Sequence, residues 1–93
     1  MFHNTKILVI DDTAAIRTFL RISLELNGAQ VLEAETGEEG EKIYKDILPD
    51  AVILDLGLPD KDGLEVLEEL KALPQDMQRP VIMLTVRKDH SVH

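Results

Sequence analysis

The stretch Asp50-Ala-Val-Ile-Leu-Asp55-Leu-Gly-Leu-Pro-Asp-Lys-Asp-Gly63 narrows the possible folds more than any other part of the chain. Ala51 to Leu54 are consecutive apolar residues. Such a run reads as a strand buried on both faces, because a half-exposed strand alternates apolar and polar side chains. A carboxylate follows at once, at Asp55. In an open α/β sheet, ligands collect beyond the carboxyl ends of the strands, so an acid in that place is presented to a site. Gly57, Pro59 and Gly63 mark an irregular connection, and a helical pattern resumes at Leu64. Position alone makes Asp55 the candidate reactive group.

The same arrangement occurs upstream, where the apolar run Lys6 to Ile10 ends in the pair Asp11-Asp12. From Thr13 the spacing predicts a helix with Ile16, Phe19, Leu20 and Ser23 on one face and Arg17, Thr18, Arg21 and Glu25 mostly off it. Asp12 or Thr13 is available as its N-cap, and Gly28 stands just past its end. Gln30 to Ala34 is β-compatible. Thr36-Gly-Glu-Glu39 reads as a capping box that opens a second helix, carrying Ile43, Tyr44 and Ile47 inward. After the central strand a third helix is predicted over Leu64 to Leu73, facing inward with Leu64, Leu67, Leu70 and either Leu73 or Val66. Pro74 closes it, and Pro80 to Thr85 is another apolar strand that ends on a side-chain oxygen. The order β-α-β-α-β-α-β, with a helix in every crossover, predicts an α/β doubly wound sheet of parallel strands. Val86 to His93 reads as the approach to a fourth helix.

Length and charge bound the function. Ninety-three residues, spanning 1–93, suffice for a single domain with one core. Apolar residues are 44% and aromatic residues 3% of the chain, so the core is expected to be aliphatic. A net charge of -8 argues against direct binding to nucleic acid or to an anionic membrane, both of which select clustered Lys and Arg. Control of transcription would therefore need another domain to touch DNA. The chain has no cysteine and no apolar run near the roughly 20 residues of a membrane span. A soluble, cytoplasmic domain in a reducing compartment is the default expectation.

In a parallel sheet the strand ends at Asp11-Asp12, Asp55 and Thr85 lie along one edge. Three clustered carboxylates repel one another, so either one is protonated or a hard cation neutralises them. Mg²⁺ suits such a set, since it prefers oxygen ligands and retains several waters. With a cation held, a carboxylate can attack a phosphoryl group, making Asp55 an acyl-phosphate nucleophile. The Thr85 hydroxyl could then donate to a phosphoryl oxygen. Taken singly, each residue has a plainer reading: Asp12 as a helix cap, Asp55 as a turn residue, Thr85 as a strand residue. The plain readings leave unexplained why each acid directly follows an apolar strand. Asp60 and Asp62 read as solvated or capping groups, Gly63 as a turn residue only, and His90 and His93 as parts of a polar tail without further metal ligands.

Taken together, Ile-Leu-Val-Ile-Asp11-Asp12, Ala-Val-Ile-Leu-Asp55-Leu-Gly57-Leu-Pro59, Asp62-Gly63-Leu-Glu65 and Val-Ile-Met-Leu-Thr85 resemble the receiver domain of bacterial two-component response regulators. The resemblance runs from Lys6 to about Thr85. It implies a flavodoxin-like strand order, with Asp55 accepting phosphate from a sensor histidine kinase. It further implies Mg²⁺ held directly by Asp12, Asp55 and the Gly57 carbonyl and largely through water by Asp11, and Thr85 acting as the hydroxyl switch. Against a receiver of five βα units, the chain reads as C-terminally incomplete, lacking the last βα unit with its phosphate-neutralising lysine. Arg87 and Lys88 come too early to match that lysine, and Val86 replaces a customary small residue. The expected consequence is apolar surface laid bare beside the first helix, a fourth strand left as an open edge, and a homo-oligomer formed through it. Two rival functions share the site. One is a Mg²⁺-dependent phosphohydrolase with an aspartyl nucleophile, although such enzymes usually carry a second acid two residues on, where Gly57 stands. The other is an interaction module that is never phosphorylated.

Overall fold

The four apolar runs pair into one sheet in the computed structural model, which describes residues 4–84. Strand β1 (Lys6–Ile10) leads to helix α1 (Ala14–Leu26), then β2 (Gln30–Ala34), α2 (Gly37–Ile47), β3 (Ala51–Asp55), α3 (Gly63–Lys71) and β4 (Val81–Leu84). A short 3-10 turn at Gln75–Met77, which the sequence pattern did not suggest, follows Pro74. All three strand pairings are parallel, and the spatial order is β2-β1-β3-β4. This is the flavodoxin-like order expected above. The chain steps outward from β1 to β2 and then returns past β1 to β3, and at that reversal such sheets open a crevice for ligands. Ile10 lies opposite Leu54, so Asp11 and Asp55 leave the sheet at the same level.

Alternation along the strands divides the core in two. Leu8, Ile10, Val52 and Leu54 point toward α2 and α3, where they close on Ala34, Tyr44, Leu58, Val66 and Leu70. Ile7 and Val9 point the other way with Ala29, packed by Leu20, Leu24, Val31 and Ile53. The Tyr44 hydroxyl donates to the Met77 carbonyl at 2.6 Å, which gives this large buried side chain a polar partner.

Several inward-facing assignments need correction. Phe19 is 68% exposed, because α1 carries apolar residues around more than one face and seats on the Leu20–Leu24 stripe instead. Arg17, expected off the packed face, is buried. Leu64 and Ile47 are exposed, and α3 buries Val66 and Leu70. The rotation of α3 is set by its first turn. A Cβ at Gly63 would run into the Asp55 carbonyl oxygen and the Leu56 Cα, so glycine here permits close approach of helix to strand. Its φ is not positive, which overturns the turn-residue reading. Ala51 and Ile53 are only half-buried, so β3 is covered fully on the α2/α3 side alone. Phe19, Ile22, Leu26 and Ile82 are exposed. Among the described residues β4 pairs only with β3.

Helix ends follow the local chemistry. Thr36 caps α2 by accepting from the Glu39 amide at 3.1 Å, and Glu39 Oε1 accepts in return from the Glu35 amide at 3.0 Å. Asp62 caps α3 by accepting from the Leu64 amide at 3.0 Å. Thr13 occupies the N-cap of α1 without a side-chain bond. Gly28 takes a φ of 93° just past that helix, which suits a residue without Cβ. Among the described residues no helix is long and apolar enough to cross a membrane.

Candidate functional site

The register brings the acids together. One carboxylate oxygen from each of Asp11, Asp12 and Asp55 lies within 4.8 Å of the other two. Asp11 and Asp55 are buried at 0% and 1% exposure, whereas Asp12 is exposed, so the cluster sits at the rim of the sheet and meets solvent on one side. Two local bonds orient the buried pair. The Thr13 amide donates to Asp11 Oδ1 at 2.8 Å, and the Gly57 amide donates to Asp55 Oδ1 at 3.2 Å. Both are turns in which an Asp side chain accepts from the backbone two residues on, a conformation that also starts the chain away from its strand. The donor set is all oxygen and triply anionic when ionised, which fits a hard divalent cation such as Mg²⁺. Gly57 is exposed next to this cluster. Thr85 lies outside the described residues, as do Val86, Arg87, Lys88, His90 and His93.

Three supporting residues have long-range partners that the sequence alone does not identify. Arg17 on α1 sends Nη1 to the Asp11 carbonyl at 2.7 Å, Nε to Glu33 at 3.2 Å and Nη2 to Glu35 at 3.5 Å. Asp60 accepts from the amides of Gly37 and Glu38 at 2.8 and 2.9 Å, covering the first turn of α2 from outside that helix. Lys61 bridges Glu41 on α2 and Glu69 on α3 at 3.2 and 2.8 Å. A capping role for Asp60 was among the expectations, but the capped helix was not identifiable. The partners are 22 to 23 residues away along the chain, and no local pattern encodes such a pairing. Charge at Arg17 was visible, but its burial was not.

These contacts set the local ionisation. Partial burial pushes the Asp60 carboxyl up, yet the backbone N–H groups of Gly37 and Glu38 outweigh it and hold the group below its ordinary range. The Lys61 ammonium is held well above its ordinary value, chiefly by its bond to Glu69 and despite the cost of burial. Glu41 is pushed up by burial and by hydrogen bonding with Glu69, against the pull of Lys61. Because the native value for Asp60 lies below the ordinary 3.8, its charged form favours the fold at and above that pH, and the contribution fades as pH falls through the native value. Asp60→Asn imitates the protonated carboxyl. The stability gap between wild type and Asp60→Asn is expected to be about 1 kcal/mol near neutrality and to close as the solution is acidified below pH 3.8. Urea midpoints along a pH series measure it, and a gap that is constant or widens in acid would count against the cap.

An acidic trio at the carboxyl edge of a β2-β1-β3-β4 sheet is the arrangement of a phosphotransfer receiver, and the comparisons agree: the chain belongs to the response regulator receiver domain family, whose model matches residues 7–93. It is similar to the KDP operon transcriptional regulatory protein KdpE of Escherichia coli, at 45% identity over 87 residues, which cover 94% of this chain and 37% of KdpE. The alkaline phosphatase synthesis transcriptional regulatory protein PhoP of Bacillus subtilis is 41% identical over 86 residues, covering 92% of this chain and 35% of PhoP. The chain thus spans little more than a third of these curated relatives. Among solved structures, the N-terminal receiver domain from Methanoculleus marisnigri superposes with a TM-score of 0.83 at 35% identity, over 92% of this chain and 70% of that one. The BeF3-activated receiver domain of Klebsiella pneumoniae RstA gives 0.82 at 27% identity, over 91% and 70%.

Proposed function

We propose that this chain is a phosphoacceptor switch, with residues 1–93 forming one receiver domain in which Asp55 takes a phosphoryl group from a sensor histidine kinase. The observation that carries this reading is the meeting of Asp11, Asp12 and Asp55 within 4.8 Å at the carboxyl ends of β1 and β3. An oxygen of Asp55 attacks phosphorus. The new P–O bond forms as the P–N bond to the kinase imidazole breaks, and the electron pair leaves with that nitrogen. The Gly57 amide holds the nucleophile's carboxylate in place through its bond to Oδ1. Asp12, Asp55 and the Gly57 carbonyl would hold Mg²⁺ directly and Asp11 largely through water. The bound ion supplies neutralising charge for the transferred oxygens. Thr85 is assigned on sequence alone as the hydroxyl that donates to the phosphoryl group and turns the switch.

The matched relatives are transcriptional regulators, which supports a signalling output over turnover of a small substrate. In this reading DNA contact belongs to another domain, the protein is cytoplasmic and no membrane is bound. The phosphohydrolase alternative lacks an acid at Gly57. Self-association through the β4 edge and the bare face beside α1 accompanies the reading, and a strictly monomeric species by light scattering at high concentration would sink it.

Intact mass after incubation with acetyl phosphate and Mg²⁺ tests the function. One added phosphoryl group is expected, absent in Asp55→Asn and absent without Mg²⁺. No added mass under any condition would make the interaction-module reading the better one.

A further inference from the structure

The connection between β1 and α1 is only three residues long, Asp11 to Thr13, and it carries two of the three site acids. At its first residue the backbone is held on both sides. The Asp11 amide donates to the Ala34 carbonyl at 3.0 Å, continuing the β1–β2 ladder, while the Asp11 carbonyl accepts from Arg17 Nη1 at 2.7 Å. The Arg17 side chain is 11% exposed. Its remaining N–H groups reach Glu33, within β2, and Glu35, just after it. A planar guanidinium spreads its donors in a rigid fork and so reaches three separated acceptors at once, whereas an ammonium concentrates its donors on one nitrogen. The peptide plane joining Asp11 to Asp12 is therefore fixed by a side chain from α1 that is itself fixed by β2. A change of ψ at Asp11 that breaks this bond would carry Asp12 away from its place relative to Asp55.

We infer that Arg17 is a positioning residue for the cation site, holding Asp11 and Asp12 in the geometry that admits a divalent ion, an inference that rests on the Mg²⁺ reading given above. Electrostatics and geometry predict opposite signs here, which makes the role testable. A fixed positive charge near the site opposes the arrival of a dication. If Arg17 acted only as a charge, or only as packing, removing it would tighten Mg²⁺ binding or leave it alone. If it positions the ligands, removing it weakens binding. Outer contacts that orient metal ligands typically change affinity by about tenfold or more when lost.

The experiment is titration calorimetry with MgCl₂ at constant ionic strength on the 93-residue chain, comparing wild type, Arg17→Met and Arg17→Lys, each with its fold checked by circular dichroism. Arg17→Met preserves much of the apolar stem and is expected to bind Mg²⁺ about tenfold more weakly. Arg17→Lys, which keeps the charge but not the fork, is expected to fall between the two, with shifted amide resonances at Asp12 and Thr13 before any metal is added. Folded Arg17→Met that binds as tightly as wild type, or more tightly, overturns the inference. Should Arg17→Met fail to fold, Arg17→Lys with wild-type affinity and unmoved resonances overturns it equally. Wild type that binds no Mg²⁺ overturns instead the reading of the site itself.

Discussion

Gly63→Ala is expected to destabilise the domain by about 2 kcal/mol, an overpacking cost, and to lower its melting temperature by roughly 10 °C. The methyl group would meet backbone, at the Asp55 carbonyl and the Leu56 Cα, and backbone cannot step aside as a flexible side chain can. The Gly63 amide also donates to the Leu56 carbonyl at 3.0 Å, so the first turn of α3 is bonded to the segment it would be pushed from. Relief requires α3 to back away from the end of β3, where Asp55 stands. The same substitution is therefore expected to weaken Mg²⁺ binding. Gly57→Ala provides the contrast two residues after Asp55. A Cβ there has nothing within 4 Å and the φ is not positive, so stability should hold or rise slightly. Because alanine keeps the main-chain carbonyl, Mg²⁺ binding should survive. Equal melting temperatures for the two variants would refute the close-approach account of Gly63.

Leu54→Ala carries the largest expected cost, about 3 kcal/mol within the usual range for buried leucine truncations. Leu54 is fully buried, sits between Ile10 on β1 and Met83 on β4, and belongs to the larger of the two core clusters. For a small domain whose total stability is about 5 to 10 kcal/mol, such a loss removes roughly a third to more than half of it. A ligand that binds only the folded state returns stability by mass action, about 2.7 kcal/mol when present at a hundredfold its dissociation constant. Urea unfolding of Leu54→Ala should thus shift to a lower midpoint without Mg²⁺ and recover much of the difference with it. Failure of Mg²⁺ to move the midpoint would mean either that no ion binds or that the unfolded chain binds it equally. The slope of the transition distinguishes neither, so calorimetry on the wild type settles which.

What could be read in the residues was what is local or periodic. Strands β1 and β2 fall on the expected bounds, and the parallel order follows from alternating strands and helices. The acids at Asp11, Asp12 and Asp55 were recognisable because the Asp11-Asp12 pair and Asp55 directly follow apolar runs, and a parallel sheet gathers such ends at one edge. Helix rotation was harder. On α1, Phe19, Ile22 and Leu26 form one apolar stripe and Leu20 and Leu24 another, and only the sheet decides which is covered. Leu48 adopts a left-handed φ of 54° at the end of α2, where no glycine or asparagine announces it. The contacts of Arg17, Asp60 and Lys61 depend on elements brought together by the fold, so no window of sequence contains them.

The cap that Asp60 places on α2 ties two distant segments into one cooperative unit. The first turn of α2 cannot fray while Asp60 holds the amides of Gly37 and Glu38, and the loop after Asp55 cannot lift away without exposing those amides. Lys61 adds a strap from the same loop to both α2 and α3. Opening of any one of these segments is thereby penalised by the others, and their amides should exchange with solvent at a common rate rather than each at its own. The loop that leaves Asp55 is thereby tied to both α2 and α3.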